Sequence, residues 1–236
     1  MAGRRSVLWL CVPILLLAST PSWADSINLP TFDANKLAPI PANDLSCWIA
    51  SAANMLAADD WDNNNVSDLY TKLKSNAAFQ NGTGWRGGFQ DQALTYALSG
   101  ANNFQFLPGY DATEQIDIYN SWRKAWPLAD SPRTIITKLL AESTADPADD
   151  PVGIAFHGNN IAHAVTAWGY KGDAAAPTQL GITDSDDGVN GVVYYNWIDG
   201  FTLNYNGRPV TVDYISFLRE GDEPDLGGSS TLVMRV

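Results

Sequence analysis

The sequence predicts an α+β domain, with helices in the first half of the chain packed on an antiparallel sheet formed by the second. Two observations carry this. Between residues 47 and 141, apolar residues recur at helical spacing and cap residues stand at the ends of the runs. From Val152 onward the pattern changes to short runs rich in β-branched and aromatic residues, separated by turn residues. Helices followed by strands is the element order of an α+β fold. No internal repeat or low-complexity segment interrupts it.

Residues 1–24 read as a signal peptide. Arg4 and Arg5 make a positive start, Val7 to Ala18 an apolar stretch too short to span a bilayer, and Ser22-Trp23-Ala24 a cleavage site before Asp25. Cys11 follows Leu10, without the small residue that a lipoprotein signal needs, so the expected product is a soluble secreted or periplasmic protein. No later stretch is long and apolar enough for a membrane helix. Residues 25–236 then form one domain. Loss of Arg4 and Arg5 takes the net charge from −12 to −14. An acidic chain of this kind argues against nucleic acid and anionic membrane surfaces as partners.

The elements follow in order. Asp25 to Asn43, with Pro30, Pro39 and Pro41, reads as an extended lead-in. Asn43-Asp44-Leu45-Ser46 offers N-cap residues for a helix from Cys47 to Ala58. Trp48, Ala52 and Met55, with Ile49, Ala53 and Leu56, give that helix a broad apolar surface, and its alanines allow close approach. It reads as a buried central helix. Further helices are predicted over Val66–Ser75, Phe89–Ser99 with Gly100 to end it, and Ser131–Ala141 with Pro132 in its first turn. Gly82 to Gly88 is a glycine-rich loop. Ala101 to Trp126 has no assignable element. Strands are predicted over 152–156, 162–170, 179–184, 192–204 and 210–218.

Cysteine and histidine counts sharpen the chemistry. Once Cys11 leaves with the signal, Cys47 is the sole cysteine, either a buried small hydrophobe or a reactive thiol. His157 and His163 are the two histidines, so few groups can serve as a neutral base. Cys47 stands at the first turn of its helix, where backbone N–H groups and the helix dipole favour a thiolate and an oxyanion. Ser46-Cys47-Trp48 matches the end of the signature around papain-type nucleophiles. His163 opens a predicted strand. The next strand ends in Thr183-Asp184-Ser185-Asp186, so a hairpin brings Asp184 and Asp186 beside the imidazole. A carboxylate accepting from Nδ1 would leave Nε2 for the thiol. His157, in Phe156-His157-Gly158-Asn159-Asn160, reads as a solvent-facing loop residue. The aspartate run fails the calcium-loop pattern, and zinc chemistry lacks its ligands, so no metal or cofactor is expected.

Three blocks carry a family resemblance: Asp44 to Leu56, Ile161 to Gly169, and Ile182 to Asp186. Together and in this order they resemble the IdeS/Mac family of immunoglobulin-degrading cysteine endopeptidases. The resemblance implies a papain-like fold, with the nucleophile helix in a helical half packed on an antiparallel half, and endopeptidase activity on a protein or peptide substrate. It implies Cys47 as nucleophile, His163 as base, Asp184 as its orienting carboxylate and Asp186 as a second acidic member. It also points to a lysine near the oxyanion, for which Lys36 is the candidate. The papain-type glutamine is replaced by Pro41, and Asn43 is a further candidate oxyanion donor. Immunoglobulin specificity is not implied, because residues 59–151 show no matching block. Two other readings stand beside hydrolysis. The same residues suit acyl transfer or deamidation, and the tryptophans Trp61, Trp85, Trp122 and Trp126 would suit an exported carbohydrate- or protein-binding protein.

Overall fold

A computed structural model describes residues 32–36, 44–59, 61–81, 84–99, 104, 113–120, 130–142, 150–158, 160–220 and 229–234. The predicted signal peptide, Asn43, Trp122 and Trp126 lie outside the described residues. In chain order the elements are helix α1 (Cys47–Ala58), α2 (Val66–Lys74), the short strands β1 (Gln80–Asn81) and β2 (Gly84–Trp85), α3 (Gln90–Leu98), β3 (Thr113–Asn120) and α4 (Pro132–Glu142). Then follow β4 (Val152–Gly158), β5 (Ile161–Asp173), β6 (Ala176–Thr183), β7 (Val193–Trp197), β8 (Thr202–Tyr205), β9 (Arg208–Glu220) and β10 (Ser229–Met234). No helix among the described residues is long and apolar enough to cross a membrane.

The expected papain-like division into a helical half and a β half is not what forms. One antiparallel sheet of order β10-β3-β9-β4-β5-β6-β7-β8 dominates, and β8 also pairs with β9. That extra pairing closes β4 to β9 into a six-stranded barrel. The first residues of β9 pair with β8, and its later residues pair with β3, which leads the sheet out of the barrel. The helices are not a separate half: α2 and α3 pack on α1, burying Leu69, Leu73, Ala93 and Leu94, and α1 lies on the outer barrel face over β4 and β5, while α4 contributes Ile135, Ile136, Leu139 and Leu140 to the cluster that fills the barrel.

The longest strands do not alternate as half-exposed strands do. Several are covered on both faces, by the barrel interior and by the helix layer, so β5 and β9 run to 13 residues and lose the clean polar alternation of a half-exposed strand. The predicted run 192–204 is two strands, because Asp199 accepts the N–H groups of Phe201 (2.7 Å) and Thr202 (2.8 Å) and reverses the chain. β3 lies in the stretch to which the sequence assigns no element.

The central helix is as buried as its composition predicts, with every residue from Trp48 to Ala58 covered. Polar side chains set its register on the barrel. Ser51 Oγ donates to the Val165 carbonyl (2.9 Å), and Asn54 Nδ2 donates to Thr166 Oγ1 (3.1 Å) and Thr183 Oγ1 (3.2 Å). Asn54 Oδ1 accepts the Ala34 N–H (2.7 Å), and Gln90 Nε2 of α3 donates to the Ile154 carbonyl (3.0 Å). Buried polar groups satisfied in this way specify one docking of helix on sheet.

Candidate active site

That docking determines where Cys47 falls. Stepping back four residues from Ser51 moves about 6 Å along the helix. Stepping back two residues from Val165 moves about 7 Å along β5. The two steps arrive at Cys47 and His163. The Cys47 sulfur is hydrogen-bonded to the His163 imidazole, and the Ala164 N–H also points at it. The residues that the sequence singles out as nucleophile and base are therefore in contact.

The β5–β6 hairpin brings in the carboxylates. Its register pairs Thr166 with Thr183, so Asp184 stands just past the end of β6 and close to His163. Asp184 Oδ1 lies 2.6 Å from His163 Nε2, and its other oxygen accepts from the Tyr205 hydroxyl of β8. The Asp186 N–H donates to Asp184 Oδ1 (2.9 Å), and Asp186 Oδ2 stands 3.9 Å from His163 Nδ1. The expected ring orientation is thus reversed, with Nε2 rather than Nδ1 on the carboxylate. Asp184 is buried at the barrel mouth, with 1% of its side chain exposed, and only the far ring nitrogen Nε2 reaches it. Nδ1 is left for the thiol.

Lys36 enters the site by way of Asp186. Its Nζ pairs with Asp186 Oδ1 (2.8 Å) and donates to the Asp44 carbonyl (2.9 Å), with 3% of the side chain exposed. Its backbone N–H donates to the Ser185 carbonyl (3.1 Å). Lys36 is therefore an anchored cation close to the sulfur, held by the acidic strand end. Asn43, the other oxyanion candidate, lies outside the described residues. Helix geometry leaves the N–H groups of Cys47 and Trp48 without intrahelical acceptors, which is the chemistry an oxyanion needs.

The electrostatics make one ion pair. Burial pushes the Cys47 thiol up, but the His163 hydrogen bond and charge, with Lys36 behind, win and hold it below its ordinary value. Burial pushes His163 down, but its hydrogen bonds to Asp184 and the sulfur outweigh this and raise it to about 10. Asp184 would rise through burial, yet the contact with His163 keeps it below the usual carboxylate value. All three shifts favour the charged forms, thiolate, imidazolium and carboxylate, over those of the isolated groups.

Beneath the nucleophile lies a support that the sequence does not reveal. Ser46, the predicted cap, does not cap α1 with its side chain. Its hydroxyl bonds to Asp44 and to the Tyr70 hydroxyl (2.9 Å), while Lys74 donates to Asp44 Oδ2 (3.1 Å). This buried set clamps the turn that delivers Cys47. On the other side, Trp48 Nε1 donates to the Arg86 carbonyl (2.9 Å) and fixes the glycine-rich loop beside the cleft. A Cβ on Gly88 would stand 2.9 Å from the Trp48 ring, so the loop backbone approaches closely only as glycine.

Cys47 and His163 open onto a cleft of about 630 Å³ with largely apolar walls, among them Leu45, Phe89, Ala155 and Phe156. No protein-family model matches the chain, and no curated protein is significantly similar to it. The site must be read from its own geometry.

Two features depart from the sequence reading. His157 is not a loop residue. It lies on β4, and its Nδ1 pairs with Asp213 of β9 at the cleft wall. Trp61, one of the candidate sugar-stacking residues, is 1% exposed and donates to Asp59 Oδ2 (3.0 Å). The Trp85 side chain lies outside the described residues. Among the described residues, no three His, Cys, Asp or Glu side chains gather into a metal-holding group.

Proposed function

We propose that the protein is an exported cysteine endopeptidase. One observation carries this reading: a thiol at a helix start, hydrogen-bonded to an imidazole whose far nitrogen is held by a buried carboxylate, opening on an apolar cleft. The Cys47 thiolate attacks a peptide carbonyl carbon, and the C–S bond forms as the carbonyl electrons move to oxygen. The N–H groups at the start of α1, with the nearby Lys36 charge, suit that oxyanion. His163 Nδ1–H gives its proton to the leaving amine, the C–N bond breaks and an acyl-enzyme remains. His163 then takes a proton from water as the water oxygen attacks the acyl carbon, and the thiolate leaves. Asp184 holds Nε2 throughout and stabilises the imidazolium. The sequence blocks that resemble the IdeS/Mac endopeptidases support the same assignment of Cys47, His163, Asp184 and Asp186.

The test is proteolysis of a denatured protein mixture by the purified chain, read by mass spectrometry of the products. The account expects cleavage that is abolished in Cys47→Ala and blocked by prior alkylation. Undiminished cleavage by Cys47→Ala would remove the assignment.

A further inference from the structure

The cleft wall carries a histidine–aspartate pair that the hydrolytic site does not use. β4 and β9 change register beside it: Ala155 pairs with Tyr214, but Phe156 pairs with Val212. Asp213 is the extra residue, a β-bulge. Val210, Val212, Ile215 and Phe217 belong to the cluster that fills the barrel, whereas Tyr214 belongs to the cluster under the helices. Two successive residues, Asp213 and Tyr214, are thereby turned to the helix side, where the cleft lies. Without the bulge, the strand alternation could not place both there. Bulges beside active sites commonly re-aim a side chain in this way.

We propose that Asp213 is a specificity residue of the Cys47 cleft, taking the cationic end of a substrate lysine or arginine; this rests on the peptidase reading above. The walls leading to it are apolar and suit the methylene stem of such a side chain. Among the described residues Asp213 is the one carboxylate lining the cleft, with 14% of its side chain exposed. Its present partner, His157, has a side chain that is 63% exposed and can swing into water. His157 thus acts as an internal placeholder, which an incoming ammonium or guanidinium displaces. The acidic chain as a whole, at −12, favours the approach of a cationic substrate.

The experiment measures how fast Cys47 in the purified chain is alkylated by peptidyl chloromethyl ketones. Lysine, arginine or norleucine stands in turn at each of the first three positions from the reactive carbonyl. Norleucine has the lysine stem without its charge. At one position, lysine or arginine is expected to outpace norleucine by about tenfold, the lower end of what a hydrogen bond to a charged group supplies. The ratio falls to about one in Asp213→Asn and rises in His157→Ala. In Asp213→Lys the preference turns toward a glutamate reagent. Equal lysine and norleucine rates at every position in the unmodified chain overturn the proposal, as does a lysine preference that survives Asp213→Asn. Alkylation reads entry to the cleft without turnover. A lysine preference in a chain that hydrolyses no peptide would therefore count against the peptidase reading alone.

Discussion

Replacing Asp184 with asparagine tests the proposed electrostatics of the site at their most buried point. Asparagine keeps the shape and an oxygen that can accept from His163 Nε2 and the Asp186 N–H, which Asp184 Oδ1 now meets at 2.6 and 2.9 Å. It removes the charge. A hydrogen bond between charged partners contributes roughly 1.5–3 kcal/mol. Since about 1.4 kcal/mol is a tenfold change in protonation, the preference for imidazolium should fall by about tenfold to a hundredfold. His163 then gives up its proton about one to two pH units below its present value of about 10. The sign follows directly: with less negative charge at Nε2 the imidazolium is less stabilised, so the thiolate loses its counter-charge at a lower pH. The assay is the iodoacetamide alkylation rate of Cys47 against pH. A thiolate released from its imidazolium is the stronger nucleophile, so in the unmodified chain the rate steps up as His163 deprotonates near pH 10. In Asp184→Asn that step moves down by about one to two pH units. An unchanged step, or an upward shift in a variant that melts like the parent, would refute the reasoning.

Two stability predictions follow. Asn54→Ala removes three buried hydrogen bonds, to Ala34, Thr166 and Thr183, and leaves the Ala34 N–H without its acceptor, while Thr166 keeps Ser51 and Thr183 keeps Trp168; a loss of about 2–4 kcal/mol in urea unfolding is expected, and a loss below measurement would mean that this ladder does not dock α1. Burial, with nearby Asp187 and Asp184, raises Asp33 to about 6. The folded state therefore holds that proton more tightly than the unfolded state, and stability is lost as pH rises from 3.8 through about 6. Asp33→Asn escapes this loss, so it should gain about 1 kcal/mol above pH 6, after allowing for solvent screening, and nothing near pH 3. A gain equal at both pH values in thermal melts would contradict this origin.

The site was more legible in the sequence than the fold. Cys47 stood out because it is the sole cysteine after the predicted signal and opens a helix, and His163 because an aspartate-ended strand follows at hairpin distance. Both signals are local. The barrel is not: its closure rests on β8 meeting the start of β9, and its extension on β3 and β10, pairings between segments far apart in the chain. The same limit explains the reversed ring orientation of His163. Chain order places Asp184 near His163, but the depth of the carboxylate at the barrel mouth, where Tyr205 also holds it, decides which ring nitrogen it meets. The bulge at Asp213 adds one residue to one strand of a pair, and nothing in the local pattern of Val212-Asp213-Tyr214 marks it.

The central claim is that Cys47 becomes acylated by its substrate. The direct measurement is intact-mass analysis of acid-quenched mixtures of the chain with an activated peptide ester, followed by peptide mapping. The account predicts an acyl group on Cys47 that forms within the first turnover, decays by hydrolysis, and accumulates when water attack is slowed at low pH. Steady turnover of the ester with no mass on Cys47, or the same adduct in Cys47→Ala, would contradict it.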